Sequence, residues 1–130
     1  MTTRREFLQA GTLFFAPAFL PGGIAANDRI RVGIAGVKGR GWALLRSLLE
    51  IGKDQNVEVA ALSDVDAEVL SQRAAACEKL NGGKRVAAVG DMRRMIEDKS
   101  LDAIVHATPT NWHALGAIWT MQAGKDAYVE

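Results

Sequence analysis

The spacing of apolar positions switches repeatedly between a period of two and a helical period along this chain. Over residues 29–35, Ile30, Val32 and Ile34 alternate with Arg31, Gly33 and Ala35, which predicts a strand. The small Gly33 and Ala35 leave room for a helix to pack closely on that strand. Leu44, Leu45, Leu48 and Leu49 then form a stripe at helical spacing. That helix opens at Gly39 or Arg40, and Gly52 is its expected stop. Residues 56–62 predict a second strand, with Val57 and Val59 β-branched. Asp66 is the natural N-cap of a second helix reaching about Leu80. Leu70, Ala74 and Cys77 face inward on it, and Asn81-Gly82-Gly83 ends it.

The alternation continues to the last residue. Residues 85–89 predict a short third strand. Gly90-Asp91 starts a short helix with Met92, Met95 and Ile96 on its inner side. A fourth strand runs from Leu101 or Asp102 to Ala107, nearly continuous in apolar character, as a strand buried on both faces should be. Pro109 disfavours helix at the residue before it, so residues 108–111 form a turn. The helix that follows, residues 112–123, turns Leu115, Ile118 and Trp119 inward and stops at Gly124. Residues 126–129 begin a fifth strand, and Glu130 closes the sequence. Strands alternating with helices over short loops predict an α/β fold, a doubly wound parallel sheet of about five strands in the order 3-2-1-4-5.

Residues 1–26 break this pattern. All four phenylalanines (Phe7, Phe14, Phe15, Phe19) lie there. Thr3-Arg4-Arg5-Glu6-Phe7-Leu8 is a twin-arginine pattern, followed by a short apolar stretch to Leu20 and the small-residue zone Pro21-Gly22-Gly23-Ile24-Ala25-Ala26. A charged start, a short apolar core and small residues predict an export signal, cleaved after Ala25 or Ala26. The apolar core is shorter than the ~20 residues that span a bilayer. The expected location is the periplasm, with no membrane contact after cleavage. Residues 27–130 are then one domain.

Charge excludes some classes of partner. The chain has 16 basic and 15 acidic residues. Cleavage removes Arg4, Arg5 and Glu6, leaving the two signs balanced, so attraction to nucleic acid is not expected. With one cysteine, Cys77, no intrachain disulfide can form. Its expected place is a buried helix face.

Three clusters carry candidate chemistry. Gly36-Val37-Lys38-Gly39-Arg40-Gly41 joins the first strand to the first helix, where a backbone turn can wrap a pyrophosphate. The usual pattern is G-x-G-x-x-G. Here Lys38 takes the middle position and Gly39 comes one place late, so a tight packing turn is an equal reading of these residues alone. Asp64, at the end of the second strand, is placed to accept hydrogen bonds from the adenosine ribose hydroxyls. It would also repel a 2′-phosphate, favouring NAD over NADP. The other reading of Asp64 is a helix cap, but Asp66 suits that task better and leaves Asp64 free. The third cluster is Thr108-Pro109-Thr110-Asn111-Trp112-His113, beyond the fourth strand, beside the point where strand order reverses. By itself His113 is most simply a first-turn surface histidine. His106 lies inside a buried strand and is expected to be structural. Trp42, Trp112 and Trp119 are expected to pack rather than form a ligand cage.

These residues resemble the N-terminal domain of the Gfo/Idh/MocA oxidoreductase family over residues 30–130. The glycine turn, Ser63-Asp64-Val65-Asp66 and Asp102-Ala103-Ile104-Val105-His106-Ala107-Thr108-Pro109 carry the likeness. So do Asn111-Trp112-His113-Ala114 and Ala123-Gly124-Lys125-Asp126-Ala127-Tyr128-Val129-Glu130. The resemblance implies a Rossmann sheet holding a nicotinamide cofactor, NAD before NADP. Residues 36–41 would hold its pyrophosphate and Asp64 its adenosine ribose, with Thr108, Pro109 and His113 beside the nicotinamide ribose. It also implies a sugar or polyol substrate. Glu130 matches the glutamate of the family's Glu-Lys-Pro signature, whose lysine does not appear in the sequence. The family's second, substrate-binding domain does not appear either. The expectation is therefore the cofactor half of an oxidoreductase, without catalytic residues and inactive alone. The alternative is a non-catalytic module that binds a nucleotide or a partner.

Overall fold

The structure is a computed structural model that describes residues 29–130. The export signal expected at residues 1–26 lies outside the described residues. The elements run β1 (Ile30–Ala35), α1 (Gly39–Gln55), β2 (Val57–Ser63), α2 (Ala67–Leu80) and β3 (Ala87–Val89). They continue with α3 (Met92–Ile96), β4 (Ala103–His106), a 3₁₀ turn at Thr110–Trp112, α4 (His113–Gln122) and β5 (Asp126–Val129). All strand pairs are parallel and the order is β3-β2-β1-β4-β5, as predicted.

Side chains alternate across the sheet and so build two cores. On one face Val32, Ile34, Val59 and Val105 pack with Leu45 of α1 and with Leu70 and Cys77 of α2. On the other, Ala35, Ala61 and Ile104 pack with Met95 and Ile96 of α3, and Trp119 of α4 leans on them. Gly33 shows why that second face uses small residues on β1. A Cβ there would come within 3.0 Å of the Met95 sulfur and 2.9 Å of Ile104 Cδ1. Cys77 is buried as expected, and burial, with Glu78 beside it, pushes its thiol up to about 11.

Local signals set several boundaries. Asp66 caps α2 by accepting the N–H groups of Glu68 and Val69. Asp91 caps α3 by accepting the Arg93 N–H. Lys125 ties the β5 edge inward, its ammonium donating to the carbonyls of Asp98 at 2.7 Å and Leu101 at 2.9 Å.

Two expectations are corrected. Gly52 does not stop α1, which runs on to Gln55 and ends at Asn56 in the left-handed region (φ 57°). Gly52 is instead a close-approach residue, since a Cβ there would sit 2.5 Å from the Val57 carbonyl oxygen where β2 begins. On α4 the inward stripe is Gly116 and Thr120, while Leu115 and Ile118 are exposed. The cause is the imidazole of His106 on β4. A Cβ on Gly116 would approach that ring to 2.8 Å, so a large side chain cannot occupy the inner stripe there.

Candidate functional site

The carboxyl ends of β1, β2 and β4 open into one cleft of about 490 Å³. The chain leaves β1 towards one face of the sheet and β4 towards the other, so the cleft sits where strand order reverses, the usual ligand position in open α/β sheets. Gly36, Asp64, Thr108 and Pro109 line it, as do Asp91, Arg93, Trp112 and Trp119.

Two glycines that touch, Gly36 in the cleft lining and Gly41 behind it, set the turn. Gly36 has φ +82°, and a Cβ on it would lie 2.5 Å from the Ala107 carbonyl oxygen. Its N–H donates to the Ser63 carbonyl at 2.8 Å, which ties the turn to the end of β2. Gly41, in the first turn of α1, packs directly on it, because a Cβ there would fall 1.6 Å from the Gly36 carbonyl oxygen. These contacts bring the start of α1 against the end of β1. No side chain caps α1 at Lys38, and no acidic residue stands in its first turn. The first turn of this 17-residue helix is therefore left without a side-chain cap of its own. Gly39, with φ +40°, has open space where a Cβ would be.

Asp64 is not free. Its Oδ2 accepts the Val37 N–H at 3.0 Å and its Oδ1 accepts the Asp66 N–H at 3.0 Å. The carboxylate clamps the glycine turn to the tip of β2. Each oxygen keeps a further lone pair, and the residue is half-buried in the cleft wall. Val37 itself is fully buried under the turn.

Across the cleft, His113 braces Thr108. His113 Nε2 lies 2.6 Å from the Thr108 carbonyl oxygen, so Nε2 carries the proton and donates. The Thr108 hydroxyl is buried with no hydrogen-bond partner. Such a group costs about 1–3 kcal/mol if nothing ever satisfies it. The residue as a whole belongs to the cleft lining.

His106 is structural, as expected. It is fully buried, and its Nε2 donates to the Thr120 hydroxyl at 2.8 Å, which in turn donates to the Gly116 carbonyl at 2.8 Å. Its Nδ1 is left without a partner. Burial, and secondarily the nearby His113, lowers its pKa below the ordinary histidine value.

The remaining sequence-predicted residues divide. Lys38 and Gly39 are exposed at the start of α1. Arg40 and Glu130 stand outside the cleft lining and bond each other: Arg40 Nε donates to Glu130 Oε1 at 2.5 Å, and Nη2 reaches the same oxygen. Tyr128 adds its hydroxyl to Glu130 Oε2 at 2.7 Å. That hydroxyl first, then Arg40, holds the Glu130 carboxyl below its usual range. Trp42 packs against the core, with the Arg73 guanidinium 4.4 Å from its ring centroid. Trp112 and Trp119, expected only to pack, both line the cleft. Asp91 and Arg93 were not singled out as site residues in the sequence. The signal that could have found them is their place just after the third strand, beside Asp64.

Among the described residues no group of histidines, cysteines and carboxylates could hold a metal ion, and no helix is long and apolar enough to cross a membrane.

No family model matches the chain. It is similar to a glycosyl hydrolase family 109 protein of Shewanella sp. (strain W3-18-1), 32% identical over 106 residues, which covers 79% of this chain and 22% of that protein. Among solved structures it is similar to a probable dehydrogenase from Thermotoga maritima, with TM-score 0.63, 29% identity, and 76% of this chain and 27% of the other covered. It is also similar to the WlbA dehydrogenase from Bordetella pertussis in complex with NADH and UDP-GlcNAcA, with TM-score 0.63 and 26% identity. That match covers 78% of this chain and 29% of the other. The chain thus spans about a quarter of the length of the proteins it matches. The fold is a Rossmann-like α/β sheet shared with these dehydrogenases.

Proposed function

We propose that residues 27–130 form the NAD-binding domain of a Gfo/Idh/MocA-like protein acting on a sugar or polyol, exported to the periplasm by the twin-arginine signal at residues 1–26. The observation that carries this reading is the cleft at the strand-order reversal, lined by Gly36, on which Gly41 packs, and by Asp64. The names of its relatives, a glycosyl hydrolase and a dehydrogenase with a bound sugar nucleotide, support the substrate class.

The residues present fit a dinucleotide. Gly36 and Gly41 would hold the turn against the pyrophosphate, at an α1 start without a side-chain cap of its own. Val37, Lys38, Gly39 and Arg40 complete that turn. The spare lone pairs of Asp64 would take the adenosine ribose hydroxyls. Thr108, Pro109 and His113 would border the nicotinamide ribose, where the unpartnered Thr108 hydroxyl finds its hydrogen bond. Glu130 contributes at one remove, by holding Arg40 beside the turn. When bound, the nicotinamide supplies a hydride acceptor or donor. The protein's share is positioning: Trp112 and Trp119 offer apolar surface along the cleft, and His113 fixes the Thr108 backbone. By this reading the domain alone carries no acid or base for the reaction and is inactive by itself.

Titration of the full chain with NAD tests the reading. A tryptophan fluorescence change that saturates, together with a rise in melting temperature, is expected, because a ligand at 100 times its Kd stabilises by about 2.7 kcal/mol. No response at millimolar NAD would overturn it. The Asp64→Ala variant should lose more affinity for NAD than for NADP.

A further inference from the structure

We infer that Arg93 and Asp91 set the choice between NAD and NADP in this cleft, with Asp91 masking an arginine that would otherwise take the 2′-phosphate. The inference rests on the NAD-binding reading above and deepens it.

Placement comes first. In the parallel register Ser63 of β2 lies opposite Val89 of β3, so the residues that follow, Asp64 and Gly90, leave the sheet side by side. Asp91 and Arg93 come next and line the same cleft as Asp64. The adenosine end of the cleft is therefore walled by the tips of β2 and β3 together.

Charge comes second. Asp64 is commonly the group that repels a 2′-phosphate, but here both its oxygens accept backbone N–H groups, from Val37 and Asp66. Part of its negative charge is already met by those donors. The adjacent cation, Arg93, is held by Asp91 instead. Arg93 Nε lies 3.0 and 3.1 Å from the two Asp91 oxygens, and Nη2 lies 2.7 Å from Oδ2. This is the planar fork that also fits a phosphate. With Asp91 in place, the fork is filled and its charge offset.

Exchangeability comes third. The Arg93 side chain is 65% exposed and that of Asp91 42%, so the pair is a solvated one and its partners can change. Asp91 has a second task, accepting the Arg93 N–H at 2.9 Å as the cap of α3. Asparagine keeps a capping oxygen while losing the charge. Asp91→Asn therefore unmasks the guanidinium with the helix start intact.

The test is a set of Kd values for NAD and NADP on the full chain, read by tryptophan fluorescence at low and at high salt. For the unaltered chain, NAD should bind at least tenfold more tightly than NADP. Asp91→Asn should bind NADP at least fivefold more tightly than before, with NAD changed less than twofold, and the gain should shrink in 0.5 M salt as exposed charges are screened. Arg93→Gln leaves the Asp91 charge unopposed, so it should weaken NADP severalfold by repulsion and leave NAD within twofold. The double variant should lose the gain seen in Asp91→Asn. An unchanged NADP-to-NAD ratio in Asp91→Asn, with NAD still bound, overturns this inference alone. A gain that survives in the double variant also overturns it. Failure of the unaltered chain to bind NAD overturns both this inference and the reading it rests on.

Discussion

The Asp64 carboxylate at the tip of β2 accepts the Val37 N–H at 3.0 Å and so holds the glycine turn from 27 residues away. Its other oxygen takes the Asp66 N–H, which joins the start of α2 to the same anchor. One side chain thus couples the place where a pyrophosphate would lie to the place where a ribose would lie. Removing it should cost stability as well as affinity. Asp64→Ala loses both anchors and is expected to destabilise the fold by about 1–3 kcal/mol. Asp64→Asn keeps one acceptor and should cost less. Urea denaturation of the two variants checks the order.

Gly41 and Gly39 separate packing from access. A methyl at Gly41 collides with the Gly36 carbonyl oxygen, whereas one at Gly39 meets nothing within 4 Å. Gly41→Ala must shift α1 off β1, and about 1–3 kcal/mol or more of stability should go with it. Gly39→Ala carries only the strain of its positive φ, about 1–2 kcal/mol, yet places a methyl at the helix start where an anion would sit. Melting temperature should fall more for Gly41→Ala. A Gly39→Ala variant that folds but binds NAD poorly is the expected contrast.

Thr108 tests whether an orphaned hydroxyl serves a ligand. It is buried without a partner, so Thr108→Val should leave stability within about 0.5 kcal/mol or raise it slightly, since no protein hydrogen bond is lost. The same change should weaken NAD by roughly five- to tenfold, the value of about one hydrogen bond. Calorimetric titration beside thermal melting distinguishes the two effects.

His106 makes folding sensitive to acid. Its folded pKa is lowered, first by burial and then by His113, so the native state holds the neutral ring while the unfolded chain protonates near 6.5. The unfolded state therefore binds more protons below that pH, and the stabilisation present at neutral pH declines as pH falls from about 6.5 towards the lowered folded value. The decline is at most about 1.4 kcal/mol per pH unit. Protonation would place a cation at Nδ1, which has no acceptor. Denaturation midpoints at pH 7.5 and 5.5 should differ for the unaltered chain and differ less for His106→Gln.

The legible part of the site was its address in the fold. The glycine turn follows the first apolar run, Asp64 ends the second, and Thr108 ends the fourth, so strand order alone places all three at one edge. What they do there was not legible. Asp66 was rightly assigned to cap α2, but the conclusion that Asp64 was therefore free fails, because the groups that claim it include an N–H on a different loop. Trp119 packs against the second core as expected, but its helical position does not disclose that it also borders a cleft with Trp112.

The sequence by itself determined the kinds of element, their order and most of their starts. Period, β-branching and capping residues act over a few neighbouring positions, and Asp66 and Asp91 cap the helices their spacing predicted. Tertiary structure alone decided which face of α4 turns inward and what Arg40 holds. Each of those depends on a partner in another element: the His106 ring under Gly116, and Glu130 beside Arg40. Local pattern carries no term for such partners. The parallel register of the sheet brings them together, and close packing then leaves room for only one arrangement.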